Sequence, residues 1–340
     1  GSRVFRATAV DRQGLEQVPY VVKLDTHERI ARERVGVESV EGLLGAASPR
    51  LVDYVDLETR GAIKYQFATM HGGEVRTLQK ALRAAGTPDE ARRLLTNVAT
   101  RVLARLYQRP RREDLQLFSY YGFNPQYAQS TLRRVSALAE SESGDVLRVS
   151  GLPDVLPHPR RVYGRLERFL ADEPRETAVT WIHGDLNLAN LLLDESGNVW
   201  MIDYFWTRVG HALQDLAKLE NDLKFILLPL PDDEALRRAA EWDAALLASP
   251  LLERAPPGLP AGLAADPELA RVHAAIEVLR GLAARLLAEA GFALPHPARE
   301  YRVAQLRYAA HTLSFDECDQ RQKRLALAST CRLAGLLSEP

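Results

Sequence analysis

Residues 182–204 read IHGDLNLANLLLDESGNVWMIDY, and no other stretch limits so closely what this chain can fold into. The residues before it, AVTWI (178–182), are β-branched and aromatic and predict a buried strand. NLLLD (190–194) and VWMID (199–203) are apolar runs on either side of Glu195-Ser196-Gly197-Asn198, a turn-forming set, so they predict a hairpin. The hairpin folds the chain back on itself. The loop bearing Asp185 and Asn190 is therefore expected beside Asp203, eighteen residues beyond the first aspartate.

Three oxygen-bearing side chains gathered this way suit one kind of chemistry. Phosphoryl transfer to a hydroxyl needs an acceptor for the hydroxyl proton and oxygen ligands for Mg²⁺. Asp185 fits the first role. Asn190 and Asp203, an amide oxygen and a carboxylate, fit the second. His183 is expected to hold the loop by hydrogen bonds. Any single acid here would read as a surface carboxylate on a hairpin. The whole pattern, H-x-D-x-x-x-x-N followed by I-D between two strand-like runs, favours the catalytic reading.

HGDLNLAN carries Gly184 where the protein-kinase motif has arginine. In this it resembles the aminoglycoside phosphotransferase and choline kinase-like superfamily. The adjoining WTRVGHALQDLAKLENDLKF (206–225) is similar to a bacterial branch, the ternary-complex-associated domains. Its specific part is Gly210, His211, Asp215, Ala217, Leu219 and Glu220. The resemblance covers residues 1 to about 230 and no motif is matched in the last third. It implies a two-lobed α+β protein kinase-like fold, with ATP and Mg²⁺ as cofactors. It also implies association or fusion with further signalling or conflict domains.

The chain opens Gly1-Ser2-Arg3 without an initiator methionine. The resembled family has a glycine-containing phosphate loop just before a strand like RVFRATAV (3–10). The first strand and part of that loop are therefore expected to precede Gly1.

RVFRATAV and VPYVVKL (18–24) predict two strands joined by Asp-Arg-Gln-Gly. The chain has 44 Lys and Arg together, of which only six are lysine, and one of these, Lys23, sits inside an apolar strand. In kinase-like proteins that position holds the α- and β-phosphates; otherwise it is an edge-strand lysine facing solvent. An amphipathic helix is predicted over 26–44, with Ile30, Val37, Val40 and Leu44 near one face. A glutamate on it should pair with Lys23: Glu33, ten residues after the lysine, with Glu38 as the alternative. Strands 51–57 and 62–70 complete a small antiparallel sheet. His71-Gly72-Gly73 then breaks the pattern as a hinge would. Backbone groups of Phe67 and Ala68, in the stretch up to Met70, are expected to meet the adenine edge.

Thr87-Pro88-Asp89-Glu90 is a helix start with cap, first-turn proline and a glutamate three after the cap. The buried stripe expected on that helix is Leu94, Leu95, Val98, Val102 and Leu106. Residues 113–177 read as helices with polar breaks. Tyr120-Tyr121-Gly122-Phe123 is read as packing, with a substrate wall as the alternative. Asp215 comes only twelve positions after Asp203, where protein kinases have a longer peptide platform. That argues for a small hydroxylated or amine substrate. Asp215 is expected to brace the loop. A Pro-rich loop is predicted at 250–265, a restart at Asp266-Pro267, and helices over 268–290 and 299–338.

Bulk properties exclude several classes. A net charge of −1 gives no electrostatic case for nucleic acid or membrane as the main partner. No apolar run reaches the ~18–20 residues of a membrane span, and no signal peptide is visible, so a cytoplasmic protein is expected. The arginines in ARRLL, PRR and QKRL read as solvated helix faces. Cys318 and Cys331 are expected as reduced core thiols.

The expectation is thus a lobe of residues 1–70 with a small antiparallel sheet and one helix, and a mainly helical lobe of 71–340 carrying the catalytic loop 183–203. The enzyme expected is an ATP-dependent kinase of the aminoglycoside phosphotransferase type, acting on a small molecule that the sequence does not identify. A protein-directed kinase and a nucleotide-binding pseudoenzyme are the alternatives.

Overall fold

In chain order, residues 20–66 alternate strand, helix, strand, strand, and this order is set by where the apolar residues fall. The structure, a computed structural model, describes residues 2–8, 10–15, 19–66, 74–249, 258–289 and 297–338. The class is α+β, as the sequence implies. By internal packing the chain divides into two compact units, one formed by 1–84, 94–108 and 180–215, the other by 85–93, 109–179 and 216–340.

The first unit carries an antiparallel sheet of β1 (Arg3–Ala7), β2 (Tyr20–Thr26), β3 (Leu51–Asp56) and β4 (Arg60–Gln66), in the order β1-β2-β4-β3. β2 runs between β1 and β4, so Lys23 lies opposite Val4 on one side and Ile63 on the other. It is an interior-strand lysine, and the edge-strand alternative does not apply. Alternation along β4 turns Gly61, Ile63 and Tyr65 inward. These face α1 (His27–Leu44), whose buried residues Ile30, Glu33, Val37, Val40 and Leu44 recur at helical spacing. Thr26 precedes the helix in extended conformation but makes no side-chain cap bond.

Two close approaches fix α1. A Cβ on Gly61 would come 2.9 Å from the Cβ of Ile30. A Cβ on Gly36 would lie 2.2 Å from the carbonyl oxygen of Tyr204, so the helix backbone rests directly on the turn after Asp203. The strands Leu191–Leu193 and Val199–Met201 pair as the expected hairpin, and Arg76–Thr77 adds a third strand to them.

The predicted capping box is present at the helix Pro88–Val98. Thr87 Oγ1 accepts from the Glu90 amide at 3.2 Å, while Glu90 Oε2 accepts from the Gly86 and Thr87 amides at 2.6 and 3.2 Å. Leu95, Val98, Val102 and Leu106 are buried; Leu94 is only half-buried.

The second unit differs from the sequence reading in two places. Residues 113–177 are not only helical. Arg111–Leu115 pairs antiparallel with the start of the strand Arg175–Ile182, and 141–143, 146–148 and 155–157 form a three-stranded sheet. Arg111 and Arg112 are therefore exposed on a strand, not on a helix face. These strands are short and largely exposed, so they carry little of the period-two apolar signal that identifies a strand in sequence. The segment 299–338 is two helices, Pro297–Thr312 and Gln320–Ser338, because polar Ser314, Asp316, Glu317 and Asp319 interrupt the apolar stripe. Asp266 Oδ1 caps the helix Pro267–Glu289 through the amides of Glu268 and Leu269, as expected. Tyr121 and Phe123 are buried, and Phe123 stacks on Tyr163 at 5.8 Å and tilts against Phe118 at 5.0 Å, which is a packing role. Cys318 and Cys331 are free and buried, and burial pushes the Cys318 thiol up to about 12. The hinge expected at 71–73 and most of the Pro-rich loop, 250–257, lie outside the described residues.

The core of the second unit is organised by a carboxylate. Glu220, fully buried, accepts from Arg280 Nε at 3.0 Å and Nη2 at 2.8 Å, from the Tyr301 hydroxyl at 3.0 Å and from Gln305 Nε2 at 2.9 Å. Burial alone would raise the Glu220 carboxyl; the Arg280 charge and bonds outweigh it and hold the group below its ordinary value. Removing one member of such a set strands the other charge in the interior. Glu220→Ala is expected to lower stability by about 3–5 kcal/mol. Glu220→Leu combined with Arg280→Met should recover most of that loss, as read from thermal melting of the three proteins.

Candidate active site

The loop 183–190 is shaped before any ligand is considered. His183 sits after the strand Arg175–Ile182, and its ring bridges the loop to the hairpin. Nε2 lies 2.9 Å from the carbonyl oxygen of Ile202, and Nδ1 accepts a long bond of 3.4 Å from the Asp185 amide. Nε2 thus donates to the hairpin carbonyl while Nδ1 accepts from the loop. Asn187 Oδ1 accepts from the amides of Ala189 and Asn190 at 2.9 and 3.0 Å, closing an Asx turn. Asn190 Nδ2 donates to the Asp185 carbonyl at 3.1 Å, which leaves its amide oxygen as the group available to a cation. The Ile202 amide donates to the Asn190 carbonyl at 3.0 Å, so the residue before Asp203 is tied to Asn190 by backbone.

Asp215 holds the loop from below. Its carboxylate accepts from the His183 amide at 2.7 Å, the Gly184 amide at 2.9 Å and the Tyr107 hydroxyl at 3.2 Å. Complete burial pushes this carboxyl up from its ordinary value, opposed by His183 and these bonds. The bracing role expected of Asp215 is what the geometry shows. Gln214 adds a bond from Nε2 to the Gly184 carbonyl at 2.8 Å.

Gly184 itself is dictated by the backbone. Its φ is +87°, and an added Cβ would stand 2.3 Å from the carbonyl oxygen of Trp206. No side chain fits there unless the segment after Asp203 moves. Asp203 also has positive φ, +68° with ψ +68°, one of two described non-glycine residues that do. Aspartate tolerates this region better than most residues, yet the conformation costs energy and is the kind found where a side chain must be aimed.

Lys23 joins these parts. Its Nζ lies 2.6 Å from Glu33 Oε2 and 2.8 Å from Asp203 Oδ1. Tyr65 donates its hydroxyl to Glu33 Oε1 at 3.0 Å, so both carboxylate oxygens of this nearly buried residue are satisfied. Burial works against the Lys23 ammonium, but the two carboxylates overcome it and raise its pKa above the ordinary value. Glu38, the alternative partner, is exposed and lies 3.9 Å from Arg34 instead.

Lys23, Glu33, Asn190 and Asp203 all line one cavity of about 440 Å³. Val4, Val21, Leu192 and Ile202 supply apolar walls, and Tyr65 and Gln66 line it from the end of β4. Such a space, mostly apolar with a few convergent charges, has the size and character of a small-ligand site. Asp185 is on the loop but not among the cavity-lining residues. Phe67 and Ala68 lie outside the described residues. The sequence reading missed Tyr65 and Gln214. Tyr65 was signalled by period-two alternation with Ile63; Gln214 had no sequence signal.

A sequence model of the family described as Ternary complex associated domain 9 matches residues 1–142 and 127–314. That is the branch to which residues 206–225 pointed. No curated protein sequence matches the chain. Among solved structures it is similar to a glucosamine kinase at 12% identity, covering 93% of this chain and 73% of that one, with a TM-score of 0.49. It is also similar to an amicoumacin kinase solved with AMP-PNP and Ca²⁺, at 12% identity, 99% and 85% coverage and a TM-score of 0.42. A third is an aminoglycoside phosphotransferase from Streptomyces rimosus, at 17% identity, 91% and 89% coverage and a TM-score of 0.41.

Gly184→Ala combines a strained φ with a backbone clash. It is expected to cost about 1–3 kcal/mol for the conformation alone, with more from displacing Trp206. Thermal melting checks this; an unchanged midpoint would show that the loop does not need glycine.

Proposed function

The chain belongs to the Ternary complex associated domain 9 family, and from that and the site's geometry we propose that it is an ATP-dependent phosphotransferase acting on a small molecule. The observation that carries the reading is Lys23, held between Glu33 and Asp203 in one cavity with Asn190. A lysine paired to a helix glutamate, with a metal-binding aspartate beside it, is the apparatus of kinase-like phosphoryl transfer.

The residues fit Mg-ATP on chemical grounds. Asp203, with a half-exposed carboxylate, and the Asn190 amide oxygen are hard oxygen donors of the kind Mg²⁺ takes alongside phosphate oxygens. Bound there, Mg²⁺ would neutralise charge on the transferred phosphate. Lys23 would hold the α- and β-phosphates, and the apolar walls would take the base. The adenine edge is assigned to the backbone of Phe67 and Ala68, which come directly after the cavity-lining Gln66 in the chain. Asp185 would orient the acceptor hydroxyl and take its proton. The lobe division at residue 70 and a cytoplasmic location belong to the same reading. Among the described residues no helix is long and apolar enough to cross a membrane.

The segment after Asp203 favours a small acceptor. The interval to Asp215 is filled by the turn Tyr204–Trp206 and the strand Arg208–His211. Its backbone is committed to the loop, with the Trp206 carbonyl against Gly184, so it offers no extended platform for a peptide.

Two measurements test the reading. Saturating Mg-ATP should raise the melting midpoint, by about 2.7 kcal/mol of linkage at a hundredfold excess over Kd. Asp203→Ala should abolish the Mg²⁺ dependence of that shift, and Asn190→Ala should weaken it. Unchanged Mg²⁺ dependence in Asp203→Ala would remove the metal assignment.

Asp185→Ala separates enzyme from scaffold. Nucleotide affinity should stay close to wild type while γ-phosphate transfer to a metabolite pool falls by about 10²–10⁴-fold. Label on protein in place of small molecules would favour the protein-directed kinase. Wild type that binds ATP but labels nothing above the Asp185→Ala background would favour the pseudoenzyme.

A further inference from the structure

A second concavity lies in the other unit and has no part in the proposed phosphoryl transfer. It has a volume of about 600 Å³ and is lined by six arginines: Arg161, Arg165, Arg168, Arg175, Arg299 and Arg302. One carboxylate, Asp172, shares the lining, and it is 3.0 Å from Arg299. Arg165 reaches Asp145 only at 3.9 Å, and both are largely exposed. Among the described residues Arg161, Arg168, Arg175 and Arg302 have no carboxylate partner.

The arginines come from separate parts of the fold. Arg161 lies on the short helix Arg160–Tyr163, Arg168 on the short helix Leu166–Leu170, and Arg165 in the turn between them. Arg175 opens the next strand, and Arg299 and Arg302 are one turn apart on Pro297–Thr312. Solvated arginines on a surface would point apart and cost nothing. These six line one hollow, where like charges raise one another's energy. Two of them also have buried, unpartnered Nε atoms, those of Arg161 and Arg302. Buried donors without partners are costly and uncommon. Phe169, Leu336 and Leu337 supply the apolar part of the lining.

We propose that this pocket binds a small molecule carrying several phosphate groups and an apolar or planar portion. Guanidinium groups match phosphate oxygens with paired bonds, and a cluster of them suits more than one phosphate. The buried Nε donors would gain acceptors. Phe169 and the leucines would cover the uncharged part. A volume near 600 Å³ suits such a ligand. A nucleic acid is less well served: the site is a hollow, not a stripe, and the chain's net charge of −1 gives no long-range attraction for a polyanion.

The test uses the whole chain and inorganic tripolyphosphate as probe, with calorimetry and melting at fixed salt. Binding is expected in wild type and equally in Lys23→Ala and Asp203→Ala, which alter only the other cavity. Arg168→Glu with Arg175→Glu, both exposed and safe for folding, should weaken binding at least tenfold. Arg161→Gln and Arg302→Gln should each weaken it by about tenfold, the worth of one charge-assisted bond. Binding lost in Lys23→Ala but kept in the arginine variants would place the probe in the first cavity and overturn the proposal. So would absence of binding at millimolar tripolyphosphate. Tighter binding of a twelve-nucleotide single strand than of tripolyphosphate, lost in the same arginine variants, would replace the small-molecule ligand with nucleic acid.

Discussion

The first unit is built around one ammonium group. Lys23 comes from β2, Glu33 from α1 and Asp203 from the end of the hairpin, and nothing in chain order brings these three together. Each carboxylate has its own condition. Glu33 is almost wholly buried and would be costly there without Lys23 and the Tyr65 hydroxyl. Asp203 is about half exposed and is held at positive φ, aimed and accessible. The lysine is thus fixed on one side and open on the other. Gly36 completes the arrangement. Because its missing Cβ lets α1 touch the Tyr204 carbonyl, the position of Glu33 and the path of the chain after Asp203 cannot change independently.

The two interior carboxylates of the helix Gln214–Asp222 obey a different logic. Asp215 is surrounded by two backbone amides and a tyrosine hydroxyl, neutral donors that leave its burial penalty partly unopposed. Glu220 has a guanidinium and two further donors, which overcome that penalty. The first holds a loop whose shape matters. The second is a packing element whose charge could be exchanged for apolar volume. Both lie in the run that pointed to the family, yet only the first touches the loop that starts at His183.

The hairpin 191–201 and the sheet were legible because their signals are local. β-branched runs, turn residues and a lysine in an apolar strand each report on a few neighbours. Glu33 was reachable from the lysine's spacing, and helical phase with Ile30, Val37 and Val40 agrees with it. The short strands within 111–157 were not legible, since largely exposed strands of three to five residues carry no periodic burial to read. The break between the last two helices was hidden by an Ala- and Leu-rich composition that continues on both sides. The arginine pocket was invisible for a further reason. Its members lie up to 141 residues apart, Arg161 to Arg302, and each taken singly reads as a solvated side chain.

Gly184 shows how a motif difference can be a geometric consequence. With arginine at this place, as in the protein-kinase motif, the Cβ would meet the Trp206 carbonyl and the backbone would have to leave φ +87°. Both conflicts arise because the chain returns to the loop at Gly184 within three residues of Asp203, through the turn Tyr204–Trp206. A longer segment could pass farther from the loop and leave room for a side chain. A short segment cannot. Glycine at 184 and the brief interval to Asp215 are therefore one constraint seen twice.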